Sequence, residues 1–296
     1  MQMPHECPDP ARNRAGAGFE PVAVITCADM PKPDSDGALL MQALGEPVEL
    51  LSWDADADWS RFSRVVLRSP WDYHTRLPEF LAWARRVAAR SRLLNPLPVI
   101  EWNSHKRYLF DLQRQGVAIV PTRFIERDEP AAAAALAAFG GAEVVVKPAV
   151  SIGAFGALRG AADSGAMADH LRALASEGDV LLQPFLPAIA DGEVSLIFFG
   201  GRFSHAVRKV PQAGDFRCQD LYGGVALPHE PDADERALAE AALAAAPAGW
   251  VYARVDMLRL DARPVLIELE LIEPSLFLDT APGSADRLAA ALRAAP

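Results

Sequence analysis

The strongest constraint on this chain is a pair of segments near its end, WVYARVDMLRL (250–260) and RPVLIELEL (263–271), joined at Asp261. Both are short, apolar and rich in strand formers, so they predict the two arms of an antiparallel hairpin. A three-residue connection, Asp261, Ala262 and Arg263, sets Leu260 opposite Pro264. Counting back, Asp256 opposes Glu268 and Arg254 opposes Glu270. Opposed residues share a face, and so do residues two apart. One surface then carries three carboxylates and a guanidinium. Opposed like charges destabilise a sheet. A divalent cation held with nucleotide phosphates, as Mg²⁺ commonly is, would compensate; so would a plain solvated face. A two-residue turn would send Glu268 and Glu270 to the other face.

Upstream, PVAVITC (21–27) reads as a buried strand, 34–44 as a helix, RVVLR (64–68) as a second strand and 78–92 as a helix. LLNPLP (93–98) reads as the strand that closes a small parallel α/β domain. SPWDYHTRLP follows a strand at its carboxyl end, where open α/β sheets place ligands. Asn103 or Ser104 caps a helix that runs to Gln115. A strand pair and a helix come next, then the strand EVVVKP (143–148), the loop SIGAFG (151–156), a helix over 163–176 and the strand VLLQPFL (180–186). GEVSLIFF and RFSHAVRKV flank Gly200-Gly201 as a hairpin. With the late strands they make a mixed, largely antiparallel sheet with helices on one side, and 283–295 is the last helix. The fold class is α/β followed by α+β. Residues 1–20 are expected to be a disordered leader without the apolar core of a secretory signal. The remaining divisions are 21–100, 101–190 and 191–296.

Composition narrows the function classes. Lys and Arg number 29 against 39 Asp and Glu, a net charge of −10. Such a surface repels nucleic acid. No apolar run approaches a membrane span. Cys7, Cys27 and Cys218 are odd in number, far apart and without metal-ligand spacing, which suits the reducing cytoplasm. A monomer and a homo-oligomer both stay open.

Several basic and glycine elements precede the hairpin. Lys147 ends the run VVVK, and a lysine buried there needs a partner: a nucleotide phosphate, or else solvent. Ser151, Gly153 and Gly156 form a loop small enough for backbone N–H groups to approach phosphate oxygens. Neither a P-loop nor a dinucleotide fingerprint is present. Lys106 sits near a helix start. Arg208, Lys209 and Arg217 surround a Pro/Gly loop, where they either clamp an anion or are solvated.

Taken in order, Lys106, VVVKP, SIGAFG, QPFLPAIADGE, RKVPQAGDFRCQDLYGG, YARVD and ELELIEP resemble the ATP-grasp superfamily, in particular its glutathione synthetase-like and ribosomal-protein glutamate ligase-like branch. The likeness covers about residues 100–280. It implies an ATP-grasp fold behind a small parallel α/β domain, and ATP and Mg²⁺ as cofactors. Lys106 and Lys147 would contact phosphates, with Ser151, Gly153 and Gly156 in a mobile lid. Gln183, Phe185 and Leu186 would border the adenine, and Glu193 would hold the ribose. Asp256, Glu268 and Glu270 would bind the metal; the family usually has Glu-x-Asn where this chain has Glu268-Leu269-Glu270. Arg254, Lys209 and Arg217 would act on the reacting groups. Arg68, Trp71, Asp72 and Tyr73 would line one wall for a small carboxylate substrate, with Gly223 and Gly224 allowing close approach; Trp71 and Tyr73 are equally read as core. TCADMPKPDSDG, LRSPWDYHTRLPEFLAW and ELELIEPSLFL are similar to cyclo-ligases acting on O-ureido-serine. The chemistry implied is activation of a carboxylate as its acyl phosphate and attack by nitrogen. A two-substrate amino-acid ligase and a non-catalytic nucleotide-binding module are the alternatives.

Overall fold

The computed structural model describes residues 20–30 and 34–296; the expected leader lies outside them, except for Glu20. Three sheets organise the chain. The first is parallel, in the order β2-β1-β3-β4, with β1 Val22–Thr26, β2 Val48–Ser52, β3 Arg64–Ser69 and β4 Arg92–Leu94. Helix α1 (Ser35–Leu44) starts at Asp34, whose side chain accepts from the Gly37 N–H, and stops at a left-handed Gly45.

Two expectations for this region need correction, and one strand goes unread. Strand β2 has too little apolar contrast to be read, because none of its five residues is fully buried. Helix α2 (Leu77–Ala88) ends before 92, since Ser91 turns back to donate to the Phe62 carbonyl and Arg92 enters β4. The segment 93–98 is a strand only to Leu94. Pro96 and Pro98 instead open helix α3 (Leu97–Asn103), where a first-turn proline costs no hydrogen bond.

Asn103 does not cap a helix. Its side-chain amide donates to the Leu269 carbonyl and accepts from the Leu271 N–H, so it is spent on the late hairpin. The helical stretch expected over 103–115 is therefore split between α3 and α4 (Tyr108–Arg114). Both pack with residues up to Ile119 against the sheet of the C-terminal region, and Phe124 and Leu181 from the strands that follow join the same core.

The second sheet is antiparallel, β5-β8-β6-β7, with β5 Arg123–Ile125, β6 Glu143–Pro148, β7 Leu158–Ala161 and β8 Val180–Pro184. A single strand, not a pair, precedes the 3-10 stretch Ala132–Phe139. Helix α5 (Gly165–Glu177) closes the core of this sheet.

The third sheet is wholly antiparallel, β11-β10-β9-β12-β13. Its strands are β9 Glu193–Phe199, β10 Arg202–Val210, β11 Val225–Pro228, β12 Tyr252–Leu260 and β13 Arg263–Glu270. Helices lie on both faces, not one. Leu238, Ala239, Ala242 and Leu243 of α6 (Ala233–Ala245) pack on one face beside Val255, Met257 and Leu266. On the other, Leu288 and Leu292 of α7 (Ser284–Ala294) meet Ile197, Phe199, Val207 and Tyr252, together with Val22 and Val66 of the parallel sheet. That second face is apolar at one end only. Continuing along the same strands at period two brings Ser195, Glu193, Lys209, Arg254 and Asp256 to the open end.

Candidate active site

The open end of this face borders a cavity of about 720 Å³ between the second and third sheets and the loop after β3. Four neighbouring strands carry its charges. Lys209 on β10 faces Glu193 on β9, and Ser195 on β9 faces Asp256 on β12. Arg254 on β12 faces Glu270 on β13, and Asp256 faces Glu268.

The hairpin reaches this pairing by a different route from the one expected. Leu260 opposes Arg263, not Pro264, so only Asp261 and Ala262 turn the chain, both at positive φ (49° and 65°). A β-bulge between Asp256 and Met257 then restores the register. Ile267 is the extra residue, so Ile267 and Glu268 line the cavity in succession while Leu266 and Leu269 enter the core.

The carboxylates are held by cations. Asp256, 2% exposed, accepts from Ser195 Oγ at 2.6 Å, from Arg254 Nε at 2.9 Å and from Lys209 Nζ at 3.1 Å. Burial raises its pKa, but Arg254 and Lys209 outweigh burial and hold it below the ordinary carboxylate range. Lys209 also pairs with Glu193, and Arg254 with Glu270. Lys106 Nζ bridges Glu268 Oε1 at 2.7 Å and the Ser151 carbonyl at 2.6 Å. Glu270 is pushed up to about 7 by burial against the opposing pull of Arg254, with Asp256 and Glu268 adding to the rise. Among the described residues no group of three or more His, Cys, Asp or Glu stands ready-made around a metal.

Lys147 on β6 lines the cavity from the second sheet, and burial lowers its pKa. Among the described residues it has no carboxylate within ion-pair distance. Below it the lining turns apolar: Val120, Leu186, Ile189, Leu258 and Ile267, with Phe185 at the rim under the Arg159 guanidinium. Gln183 lines the same slot but donates its amide to Thr122 Oγ1 at 2.9 Å.

The glycine loop follows Lys147. Ser151 is buried and donates to the Pro148 carbonyl, while Gly153 and Ala154 lie on the cavity side. Gly156 is outside the lining; at φ 70°, a Cβ there would stand 2.9 Å from Pro148. Phe155, 56% exposed, meets the His74 ring edge-on at 4.9 Å.

The wall expected from the loop after β3 is only partly formed. Trp71 and Tyr73 line the cavity. Arg68 and Asp72 do not. Arg68 is 1% exposed and donates to the Pro274 carbonyl, and Asp72 accepts the Trp53 indole N–H at 2.7 Å. Both are struts for the loop. Arg217 lines the opposite rim, paired with Asp215 and stacked 3.6 Å over Tyr222. Gly224 lines the cavity and Gly223 stands behind it. Gly224 must be glycine, because a Cβ would meet the Cys218 carbonyl at 2.2 Å.

Sequence reasoning passed over Ser195, His74 and Glu273. Ser195 had a usable signal, a polar residue at period two from Glu193 inside an apolar strand. Glu273 lies three residues past Glu270, beyond the end of β13, where periodicity no longer assigns a face. Burial pushes it up to about 8, with Glu270 as the next cause.

Similarity to known proteins identifies the family. The family model for the N-terminal domain of D-cycloserine synthetase DcsG matches residues 22–95, and that for the ATP-grasp domain of prokaryotic glutathione synthetase matches residues 113–275. The cycloserine biosynthesis protein DcsG of Streptomyces lavendulae is 38% identical, over 92% of this chain and 97% of its own length. A crystal structure of D-cycloserine synthetase DcsG aligns with a TM-score of 0.81 at 33% identity, covering 92% of this chain and 98% of that one. D-alanine–D-alanine ligase from Bacillus anthracis, complexed with ATP, shares the fold at a TM-score of 0.66 and 14% identity, over 93% and 97% of the two chains. The chain belongs to the ATP-grasp family, in the group of D-cycloserine synthetase DcsG, and is an ATP-dependent C–N ligase.

Proposed function

We propose that this ligase is a cyclo-ligase for O-ureido-serine or a close relative, using Mg·ATP. The observation that carries the nucleotide part is the division of one cavity into an apolar slot and a charged row across four strands, with the unpaired Lys147 between them. The apolar slot suits a base, with backbone of Gln183 to Leu186 along its edge. Lys147 and Lys106 suit phosphate oxygens. Glu193 suits ribose hydroxyls.

The donor set also fits Mg²⁺. Glu268 and Glu270 are like-charged neighbours facing the cavity, with Asp256 behind them, and hard oxygens are what this ion takes. Bound there with phosphates, Mg²⁺ would supply charge neutralisation along the polyphosphate. Glu268 and Glu270 would exchange contacts with Lys106 and Arg254 for it, which frees both cations for phosphate.

The residues then divide the reaction between them. The substrate carboxylate attacks the terminal phosphorus of ATP; a new P–O bond forms, the bond to ADP breaks, and an acyl phosphate results. Arg254, Lys209 and Lys147 stabilise charge on the transferring oxygens. Nitrogen attacks the acyl carbon, the C–N bond forms, phosphate leaves with its electron pair, and the nitrogen loses its proton. Arg217 and Lys209 suit the carboxylate. Closure of the loop carrying Ser151, Gly153 and Gly156 would keep water from the acyl phosphate.

The likeness to DcsG over nearly the whole chain supports a nucleophile within the same molecule. An ADP-release assay tests this. O-ureido-serine alone is expected to sustain turnover. Turnover that requires a second amine would replace the reading with a two-substrate ligase, and nucleotide binding without ADP release from any carboxylate would replace it with a binding module. We place the protein in the cytoplasm; no helix among the described residues is long and apolar enough to cross a membrane.

A further inference from the structure

The charged row across the four strands pairs off internally. Glu193 and Asp256 meet Lys209, Asp256 and Glu270 meet Arg254, and Glu268 meets Lys106. Glu273 lines the same cavity, and among the described residues no basic side chain lies within ion-pair distance of it. Its neighbours are instead polar and aromatic. The Tyr73 hydroxyl lies beside its carboxyl group, and the Trp71 indole N–H donates to its backbone carbonyl at 3.4 Å.

Its position is held by the residues that follow it. The next residue, Pro274, accepts from the buried Arg68 through its carbonyl. A few residues on, the N–H groups of Leu276, Phe277 and Leu278 converge on the Asp36 carboxylate at 2.5, 3.2 and 2.8 Å. The segment bearing Glu273 is therefore fastened to the parallel sheet. Burial without a cation beside it penalises the ionised form of this carboxyl, and a cationic ligand would stabilise that form.

We propose that Glu273 is a specificity residue that pairs with the α-ammonium group of the substrate, so that the enzyme takes α-amino acids and not simple carboxylic acids. This rests on the reading of the cavity as a carboxylate-activating site. The zwitterion is then held at two ends: its carboxylate toward Arg217 and Lys209, its ammonium toward Glu273. Trp71 and Tyr73 add ring faces beside the cation. Fixing both ends leaves the side-chain nitrogen as the group free to reach the activated carbon.

The test is calorimetric and does not depend on turnover. Full-length protein saturated with a non-hydrolysable ATP analogue and Mg²⁺ is titrated with O-ureido-serine and with its analogue bearing hydrogen in place of the α-amino group. The wild-type protein should prefer the amino acid by about ten- to a hundredfold, the usual worth of a charge-assisted hydrogen bond. Glu273→Gln keeps the size and loses the charge. It should abolish that preference while binding the deaminated analogue and the nucleotide as wild type does. Glu273→Asp should recover part of the preference. No preference in the wild-type protein, or an undiminished preference in E273Q, overturns the assignment. A wild-type protein that binds and discriminates but releases no ADP from O-ureido-serine overturns the proposed substrate and leaves the role of Glu273 standing.

Discussion

Asp256 and Glu268 stand opposite each other across β12 and β13, although the two-residue turn between the strands would by itself put them on opposite faces. The extra residue Ile267 makes the difference. Turn and bulge are therefore one device, and each has a cost that can be read. Ala262 occupies the left-handed region at φ 65° as the second residue of the turn, where glycine is favoured. Ala262→Gly should raise stability by about 0.5–1 kcal/mol, since relief of that strain exceeds the added chain entropy. Thermal denaturation should show an increase of a few degrees at unchanged kcat; a lower Tm would contradict the turn assignment.

Asp256→Asn and Glu268→Gln should both abolish turnover but differ in stability. Asp256 neutralises two buried cations, Arg254 and Lys209. Its loss leaves each with a single carboxylate, Glu193 for Lys209 and Glu270 for Arg254, and should cost about 3 kcal/mol. Glu268 is less buried and answers one lysine. Glu268→Gln should melt within a few degrees of wild type. Denaturant titration beside an ADP-release assay separates the two effects, and activity in either variant would remove that residue from the metal assignment.

Lys147 has no ion-pair partner within the described chain, and burial disfavours its charge. Lys147→Ala should leave stability unchanged or improve it, while weakening Mg·ATP at least about tenfold. Calorimetry with nucleotide provides the measurement. A drop in Tm with unaltered affinity would mean that the lysine serves the fold.

Cys218 should be unreactive in the native protein. Burial pushes its thiol up to about 12, with Glu193 adding to the rise, and the thiolate is the nucleophile. Because the folded pKa lies above the ordinary thiol value, alkylation at pH 8 should be far slower in the native protein than after denaturation. Mass spectrometry of iodoacetamide-treated protein would show it. Rapid native labelling of Cys218 would mean that the loop carrying it opens.

Much of the fold was legible because its signals are local. Strand β1, helix α1 with its Asp34 cap, the Gly200-Gly201 hairpin and the late strand pair each follow from periodicity or turn chemistry within a few residues. Half of the charged row was legible for the same reason: hairpin register puts Arg254 and Asp256 on one face, whereas Glu193 enters through the family resemblance and Lys209 reads as part of a loop.

What failed depended on distant partners. Asn103 resembles a helix cap until its amide is found on the backbone of Leu269 and Leu271. Arg68 and Asp72 resemble substrate ligands until Pro274 and Trp53 claim them. The sequence by itself determined which acids and bases are available and, for most, which strand carries them. Only the tertiary structure decided which remain unspent. A side chain's hydrogen-bonding capacity is limited, and partners more than a hundred residues away consume it without leaving a trace in the local pattern. Lys147, on the second sheet, and Glu273, just past β13, are cavity-lining ionisable groups that this selection left without an ion pair among the described residues.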